Sequence, residues 1–547
     1  MLYLSTTLLS VFITVSLIPL MIRLADKYRM VDLPNPRKVH AIPVPRIGGL
    51  AMALGASVPI ILWTEADGFV RAYLIGAGVL VLFGLVDDMR GLGHKVKFTG
   101  QLLAALIAVL YGGIRINSLG TLLPGAVQLP EWFAVVLSIV AIVGVTNAIN
   151  LADGLDGLAG GISLLGFCCL GYFAYLAGNN TIAVLALALA GAVFGFLRYN
   201  TYPASLFMGD TGSQLLGFSA IVFAVKITQG NTPLSPVLPL IILGFPVLDT
   251  LTVMAERIRE GRPLFSADKN HFHHRLMRLG LSHAEAVFTI YVIQAMMIVS
   301  AILFKYHSDW FFIAGYITFS VVTISAFAVA DHKALRFRRH SRVEDSIKGR
   351  LRKIRDNNWI IRISFSLSRI IIPLLFLFSC FLPARIPIYI AVMSFCFGIV
   401  ILGSLTMRKK YLGGCLRSVL YLTIPLVLYL TEEGRSGWVS EKALFLYHLC
   451  FGIVALFVIL TVKFSRRTKG FRLSTMDFLV IFIAAVVPNL TGQLSRSHNL
   501  GLLAVEIIVF LFSYEVLINE LREKFDALAI TTVAATLILG VRGFAGF

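Results

Sequence analysis

Apolar runs about twenty residues long follow one another from Leu2 almost to the last residue, and a run of that length matches the hydrocarbon thickness of a bilayer. They are too long for the roughly ten-residue alternating strands of a membrane barrel, so the expected fold is all-α and polytopic. Composition agrees. Of the 547 residues, 57 % are hydrophobic and 14 % charged, with a mean hydropathy of +0.84, which excludes an ordinary soluble globule. About eleven spans precede residue 331, starting near Leu2, Ile47, Ala72, Phe98, Trp132, Leu158, Ile182, Ser213, Pro236, Ala284 and Trp310. The first, Leu2 to Ile22, has no basic leader and no small-residue cleavage site, and is expected to stay as an anchor. A basic stretch then interrupts the hydropathy for too long to be a tight turn. The expected division is a core over 1–330, a basic linker over 331–362 with a short surface helix, and a C-terminal transmembrane extension over 363–547. That extension holds about seven more spans, near Ile363, Pro387, Val419, Leu444, Thr475, Leu502 and Ala527.

A net charge of +19 would suggest nucleic acid in a soluble protein, but here the positions of the charges decide against it. Lys and Arg gather in alternate loops, at Arg23 to Arg46, Arg90 to Lys97, Arg257 to Arg278 and Lys333 to Arg362. The loops between them are nearly free of basic residues, Arg115 excepted. The positive-inside rule therefore places the basic loops in the cytoplasm and the N-terminus outside. The six cysteines have neither metal-ligand nor disulfide-framework spacing and read as core residues.

The polar motifs all fall at the ends of spans on that basic side. In VTNAINLADGLDGLAGG, Asn147, Asn150 and Asp153 are three apart and share a helix side, and Asp156 extends the series into a glycine-loosened segment. A carboxylate-lined, glycine-rich helix end suits a cation and the phosphates it neutralises, although a polar turn would use the same letters. Asp87 and Asp88, adjacent at the end of the third span, repel each other unless a cation or base lies between them; a solvated helix end is the plainer reading. In MGDTGS, Asp210 precedes a helix start whose open N–H groups would suit a phosphate, or which Thr211 and Ser213 merely cap. Oxygen ligands without thiolates point to Mg²⁺ or Mn²⁺. His271, His273 and His274, among Arg262, Lys269 and Arg275, lack the spacing of zinc ligands and read better as contacts to a phosphate or nucleotide than as a solvated loop. The proline-stiffened first loop carries Arg37, Lys38, His40 and Arg46, which could hold a lipid phosphate or simply signal topology. Together these features amount to a phosphoryl-transfer site whose substrate can itself be a lipid.

Five motifs in order, PRKVHxxPxPRxGG (Pro36 to Gly49), VDD, NxxNxxDGLDGLAGG, FMGDTGS and the His-rich loop, resemble those of the polyprenyl-phosphate N-acetylhexosamine-1-phosphate transferases over residues 20–330. The resemblance implies that a polyprenyl phosphate attacks the β-phosphate of a UDP-N-acetylhexosamine at the cytoplasmic face of the cell membrane, giving a polyprenyl-diphospho-sugar and UMP with Mg²⁺ as cofactor. It implies catalytic and lipid-phosphate roles for Asp87 and Asp88 and metal ligation by Asp210. It places Asn147, Asn150, Asp153 and Asp156 in the nucleotide and metal region, with Asp153 a second candidate ligand. Arg262, His271, His273 and His274 belong to the sugar-nucleotide loop, and Arg37, Lys38, His40 and Arg46 to the lipid phosphate. RPLFSADKNHFHHRL is similar to the GlcNAc-1-phosphate branch that starts surface polysaccharides. It departs from the phospho-MurNAc-pentapeptide branch, because Phe272 interrupts the histidines and Arg275 follows them. That branch is one alternative and a polyprenyl-lipid transporter another, but transport predicts ionisable groups near the midplane rather than at helix ends. The expected partners are polyprenyl phosphate, the UDP-sugar and membrane lipids, with a homodimer left open. Residues after 331 lie outside the resemblance, and Glu506 and Glu515 are the exceptional charges among their spans.

Overall fold

The computed structural model describes residues 2–28, 30–32, 43–124, 127–230, 232–263, 270–332, 359–407, 409–464, 478–479, 500–521 and 525–546. Twelve helices among them are long and apolar enough to cross a membrane, which makes this a multi-pass membrane protein. The chain divides into two compact units, one of Met1–Arg338 with Ser474–Leu479, the other of Arg339–Leu473 with Val480–Phe547.

In the first unit the helices are α1 (Leu2–Tyr28), α2 (Gly48–Trp63), α3 (Gly68–Arg90), α4 (His94–Leu106), α5 (Glu131–Ala152), α6 (Leu158–Leu176), α7 (Asn180–Asn200) and α8 (Gly209–Thr228). They are followed by α9 (Leu238–Ile242), α10 (Gly244–Arg259), α11 (Phe272–Arg278), α12 (His283–Leu303) and α13 (Asp309–His332). One sheet is described, a two-residue antiparallel pair of β1 (Val31–Asp32) and β2 (Val44–Pro45). Helix α8 is the core. Its span is 94 % buried and has the lowest hydropathy of the twelve, as suits a helix that meets protein rather than lipid. Its buried Ser219 hydroxyl lies 3.0 Å from the Tyr73 hydroxyl of α3. Small residues let neighbours approach its entry closely: a Cβ on Gly49 of α2 would lie 2.2 Å from Gly212 N, and one on Gly84 of α3 would lie 2.5 Å from Thr211 Cα.

The expected ninth span is two helices, α9 and α10. Pro246 has no N–H to give to the carbonyl of Ile242, and that oxygen instead accepts from Gln294 Nε2 at 2.6 Å. The fourth span ends in a π turn over Ile107–Tyr111.

The second unit contains helices Trp359–Ser379, Ile388–Met407, Lys409–Glu433, Glu441–Phe464, Leu500–Leu521 and Asp526–Phe544. The span expected near Thr475 lies almost wholly outside the described residues. Ile388–Met407 packs closely on Asp526–Phe544, where a Cβ on Gly543 would come within 2.5 Å of that of Ala391.

Candidate active site

Helix α3 stops at Gly91, and the turn into α4 folds Lys97 back over the last carboxylates of α3. Leu92 N donates to Asp87 Oδ1 at 2.6 Å, and Lys97 Nζ stands 2.7 Å from Asp87 Oδ2. The same ammonium lies 2.7 Å from Asp210 Oδ2, in the first turn of α8. Asp88 caps that turn. Its carboxylate accepts from Asp210 N at 3.0 Å, Thr211 N at 3.1 Å and Thr211 Oγ1 at 2.8 Å, which answers the open N–H groups and the positive end of the helix. Gly209 is required at the entry: its φ is +67°, and a Cβ there would sit 2.4 Å from Asp88 Oδ2. One oxygen from each of Asp87, Asp88 and Asp210 thereby falls within 4.8 Å of the others.

The end of α5 supplies the next wall. Asn150 Oδ1 accepts from Ser213 Oγ at 2.6 Å, tying α5 to the first turn of α8, while Asn147 Nδ2 donates to Gln101 Oε1 of α4 at 2.7 Å. Asp153 is the half-buried C-cap of α5. Burial above all, then the nearby Asp210, pushes its carboxyl up to about 7, with Asp88 and Asp156 adding and Arg46 opposing. Asp156 Oδ2 accepts from Ala204 N at 2.9 Å and so anchors the approach to FMGDTGS. Arg46 is held beside that approach: its N donates to Met30 O at 2.9 Å, its guanidinium lies 3.6 Å from Asp32, and Phe207 N donates to Pro45 O at 2.8 Å.

The histidines close the site from α10 and α11. Asp249 of α10 is buried; its Oδ2 lies 2.8 Å from His271 Nδ1, and its Oδ1 accepts from Phe272 N at 2.7 Å. His273 stacks parallel to His271 at a centroid distance of 5.8 Å. It touches the DGLDG segment so closely that a Cβ on Gly154 would lie 2.4 Å from its Nε2. Burial, and then the neighbouring His274, His271 and His283, hold its pKa well below the usual histidine value, so its imidazole is neutral at pH 7. His274 is the least buried of the three.

Three carboxylates against one ammonium leave the centre with surplus negative charge, and every converging donor is oxygen. That set fits a hard divalent cation such as Mg²⁺ or Mn²⁺. Among the described residues it is the one group of three acidic, histidine or cysteine side chains spaced to hold a metal, so the histidines form no such cluster there.

The model of glycosyl transferase family 4 matches residues 70–228. The Bacillus subtilis (strain 168) protein named "Probable undecaprenyl-phosphate N-acetylglucosaminyl 1-phosphate transferase" is 39 % identical over 298 residues, 53 % of this chain and 82 % of that one. Escherichia coli O157:H7 undecaprenyl-phosphate alpha-N-acetylglucosaminyl 1-phosphate transferase is 32 % identical, covering 55 % and 84 % of the two chains. Mycobacterium leprae (strain TN) decaprenyl-phosphate N-acetylglucosaminephosphotransferase is 34 % identical, covering 49 % and 75 %.

The chain belongs to glycosyl transferase family 4.

In this family 4 member, Asp87, Asp88 and Asp210 converge although 123 residues separate the first from the last. Asp153 shares their field, while Asn147, Asn150 and Asp156 bind protein groups around them. Arg262 pairs with Glu260 at 2.6 Å beyond the end of α10. Arg37, Lys38 and His40 lie outside the described residues. The structure adds that Lys97 bridges Asp87 and Asp210 and that Asp249 anchors His271. Lys97 lies four residues before Gln101 on one face of α4, but that spacing does not name Asp210 as its partner. For Asp249 the signal is a carboxylate inside an apolar run.

Proposed function

We propose that this chain transfers GlcNAc-1-phosphate from UDP-GlcNAc to a polyprenyl phosphate at the cytoplasmic face of the cell membrane. UMP leaves, and the polyprenyl-diphospho-sugar starts a cell-envelope polysaccharide. The observation that carries the reading is the convergence of Asp87, Asp88 and Asp210, with Lys97 between Asp87 and Asp210, in a chain with a 39 % identical relative named for GlcNAc-1-phosphate transfer.

Asp87, Asp88 and Asp210 are the residues that would hold Mg²⁺, which when bound supplies neutralising charge for the donor pyrophosphate. Asp153, half-buried beside them, would add a further carboxylate to the field that draws the cation. Asp88 acts by position. Its three accepted bonds make it a poor nucleophile, and they tie it to the first turn of α8, which carries Asp210. A covalent enzyme intermediate is also unnecessary, because a phosphate monoester with a second pKa of about 6 is already anionic at pH 7. An oxygen of the polyprenyl phosphate forms its bond to the β-phosphorus while the bond from that phosphorus to the bridging oxygen of UMP breaks. Lys97 lies where the charge of the transferring group can be met, and Arg46, with Arg37, Lys38 and His40 of the same loop, is assigned to the lipid phosphate. His273, neutral and packed on Gly154, shapes the wall of the nucleotide-sugar site, with His271 fixed by Asp249.

Purified full-length protein, polyprenyl phosphate and Mg²⁺ are mixed with UDP-GlcNAc, UDP-GalNAc or UDP-MurNAc-pentapeptide, and UMP is measured. Release with UDP-GlcNAc is expected to exceed that with either other donor at least tenfold. No UMP with any donor overturns the reaction, and preference for the MurNAc donor overturns the branch.

A further inference from the structure

Helix α6 starts at a glycine whose two backbone groups are both held by side chains of other helices. Gly157, with φ +82°, is the N-cap of α6 and the last residue of DGLDG. Its N–H donates to Asn200 Oδ1, at the end of α7, over 3.0 Å, and its carbonyl accepts from the Tyr291 hydroxyl of α12 at 2.5 Å. Both side chains are buried, Tyr291 completely. The other end of the Asn200 amide donates to Leu206 O at 2.9 Å. One amide therefore spans two motifs, joining a point four residues after Asp153 to a point four residues before Asp210. The bond from Ala204 N to Asp156 Oδ2 forms a second rung beside it.

The tyrosine hydroxyl does not serve to satisfy an unpaired carbonyl. Gly157 O already accepts the first bond of α6, from Gly161 N at 2.8 Å, and the hydroxyl takes its second lone pair. Room for that approach comes from a missing side chain, since a Cβ on Gly161 would lie 2.1 Å from the Tyr291 oxygen. A buried hydroxyl bonded to a carbonyl that already has a partner fixes where that carbonyl lies. We propose that Tyr291 is a positioning residue for the nucleotide-sugar. It holds Gly157, and through it the DGLDG segment, against the approach to α8, so that Asp153 is set at a fixed separation from Asp210. His273, from the loop assigned to the donor, packs on the same segment at Gly154. The lipid phosphate is assigned elsewhere, to Arg46 and the rest of its loop, so the effect of Tyr291 falls on the donor. The inference rests on the transferase reading for the identity of that donor.

The test compares full-length wild type with Tyr291→Phe, which keeps the ring and leaves Gly157 O bonded to Gly161 N. KM for UDP-GlcNAc is expected to rise about fivefold or more, while KM for polyprenyl phosphate stays within twofold. Unfolded molecules lower the rate at saturation without moving either KM, so a merely structural role leaves the donor KM unchanged, and that result overturns the proposal. An equal rise in both KM values overturns it too, since the hydroxyl would then hold the whole site rather than the donor side. A variant that does not fold at all also overturns it, because the hydroxyl would then be a requirement of the fold. Should folded Tyr291→Phe release no UMP, the rise in unfolding temperature given by UDP-GlcNAc with Mg²⁺ is read instead. Half of that effect is expected to need about fivefold more donor in the variant, and an unchanged requirement overturns the proposal. The same readout separates the two readings. UDP-GlcNAc that stabilises wild type without releasing UMP counts against the transferase reading alone, and the donor requirement of the variant still decides the role of Tyr291. No effect of the donor on wild type overturns both.

Discussion

Two groups of acidic side chains in the first unit look alike in sequence and differ in what surrounds them. Asp309, at the start of α13, is 5 % exposed and accepts from Thr121 N at 2.6 Å, Thr121 Oγ1 at 2.8 Å and the Ser235 hydroxyl. Its donors are neutral, they come from two loops, and they occupy both of its oxygens, so it works as a clasp. Asp87 and Asp210 lie at helix ends remote in sequence and share Lys97, and Asp88, although its own donors are neutral, brings a third carboxylate within 4.8 Å of both. Three like charges are held together at a cost that folding does not recover locally. A buried carboxylate with a full set of donors is structure, whereas carboxylates crowded beyond their counter-charge mark a site awaiting a cation.

If that contrast is right, the largest effect comes from Asp210→Asn. It removes one charge from the trio while keeping the shape, and UMP release is expected to fall about a hundredfold or more, as for loss of a main electrostatic group in an active site. Raising Mg²⁺ should restore only part of the loss. Wild-type rates would show that the trio is no cation site. Lys97→Met comes next, with turnover expected to fall about tenfold. Because the ammonium occupies oxygens that a cation would use, the Mg²⁺ concentration for half-maximal rate should drop in this variant. A rise in that concentration would mean that Lys97 helps assemble the cation site instead of competing for it.

A smaller effect separates the trio from its neighbour Asp153. With its carboxyl pushed up to about 7, Asp153 is largely protonated at pH 6 and ionised at pH 8, so the negative field at the site strengthens as pH rises. The Mg²⁺ concentration for half-maximal rate is therefore expected to be several-fold higher at pH 6 than at pH 8, since a cation and a proton compete for the same field. Asp153→Asn should flatten that dependence. An unchanged slope in the variant would assign it to another group.

Much of this was legible in the sequence, and the boundary is physical. Each of the eleven spans expected before residue 331 has a helix starting within a few residues of its expected start, from Leu2 for α1 to Asp309 for α13, because span length and apolarity are local properties. The break between α9 and α10 was less visible. Pro246 alone permits a kink or a helix start, and the choice depends on Gln294, 52 residues beyond the carbonyl it bonds. The trio's members could be named one at a time from their motifs, but Lys97 could not, because its partner Asp210 is 113 residues away and basic residues near helix ends also serve topology. The letters of the histidine loop do not show that Asp249 holds His271 or that His273 packs on Gly154, because both partners come from other segments.

The clasp supplies the opposite test. Asp309→Asn keeps the side-chain shape and one carbonyl acceptor, but it places an NH₂ against donors that the carboxylate accepted, so about 1–3 kcal/mol of stability is expected to be lost. The unfolding temperature in detergent should fall by several degrees, while UMP release at a temperature where the variant is folded stays within twofold of wild type. The two readouts must separate for the contrast to hold. A fall in turnover as large as that of Lys97→Met, in protein that is still folded, would mean that tension in the Thr121 and Ser235 loops reaches the far end of α8. The distinction between a satisfied carboxylate and a crowded one would then fail as a guide to where the chemistry lies.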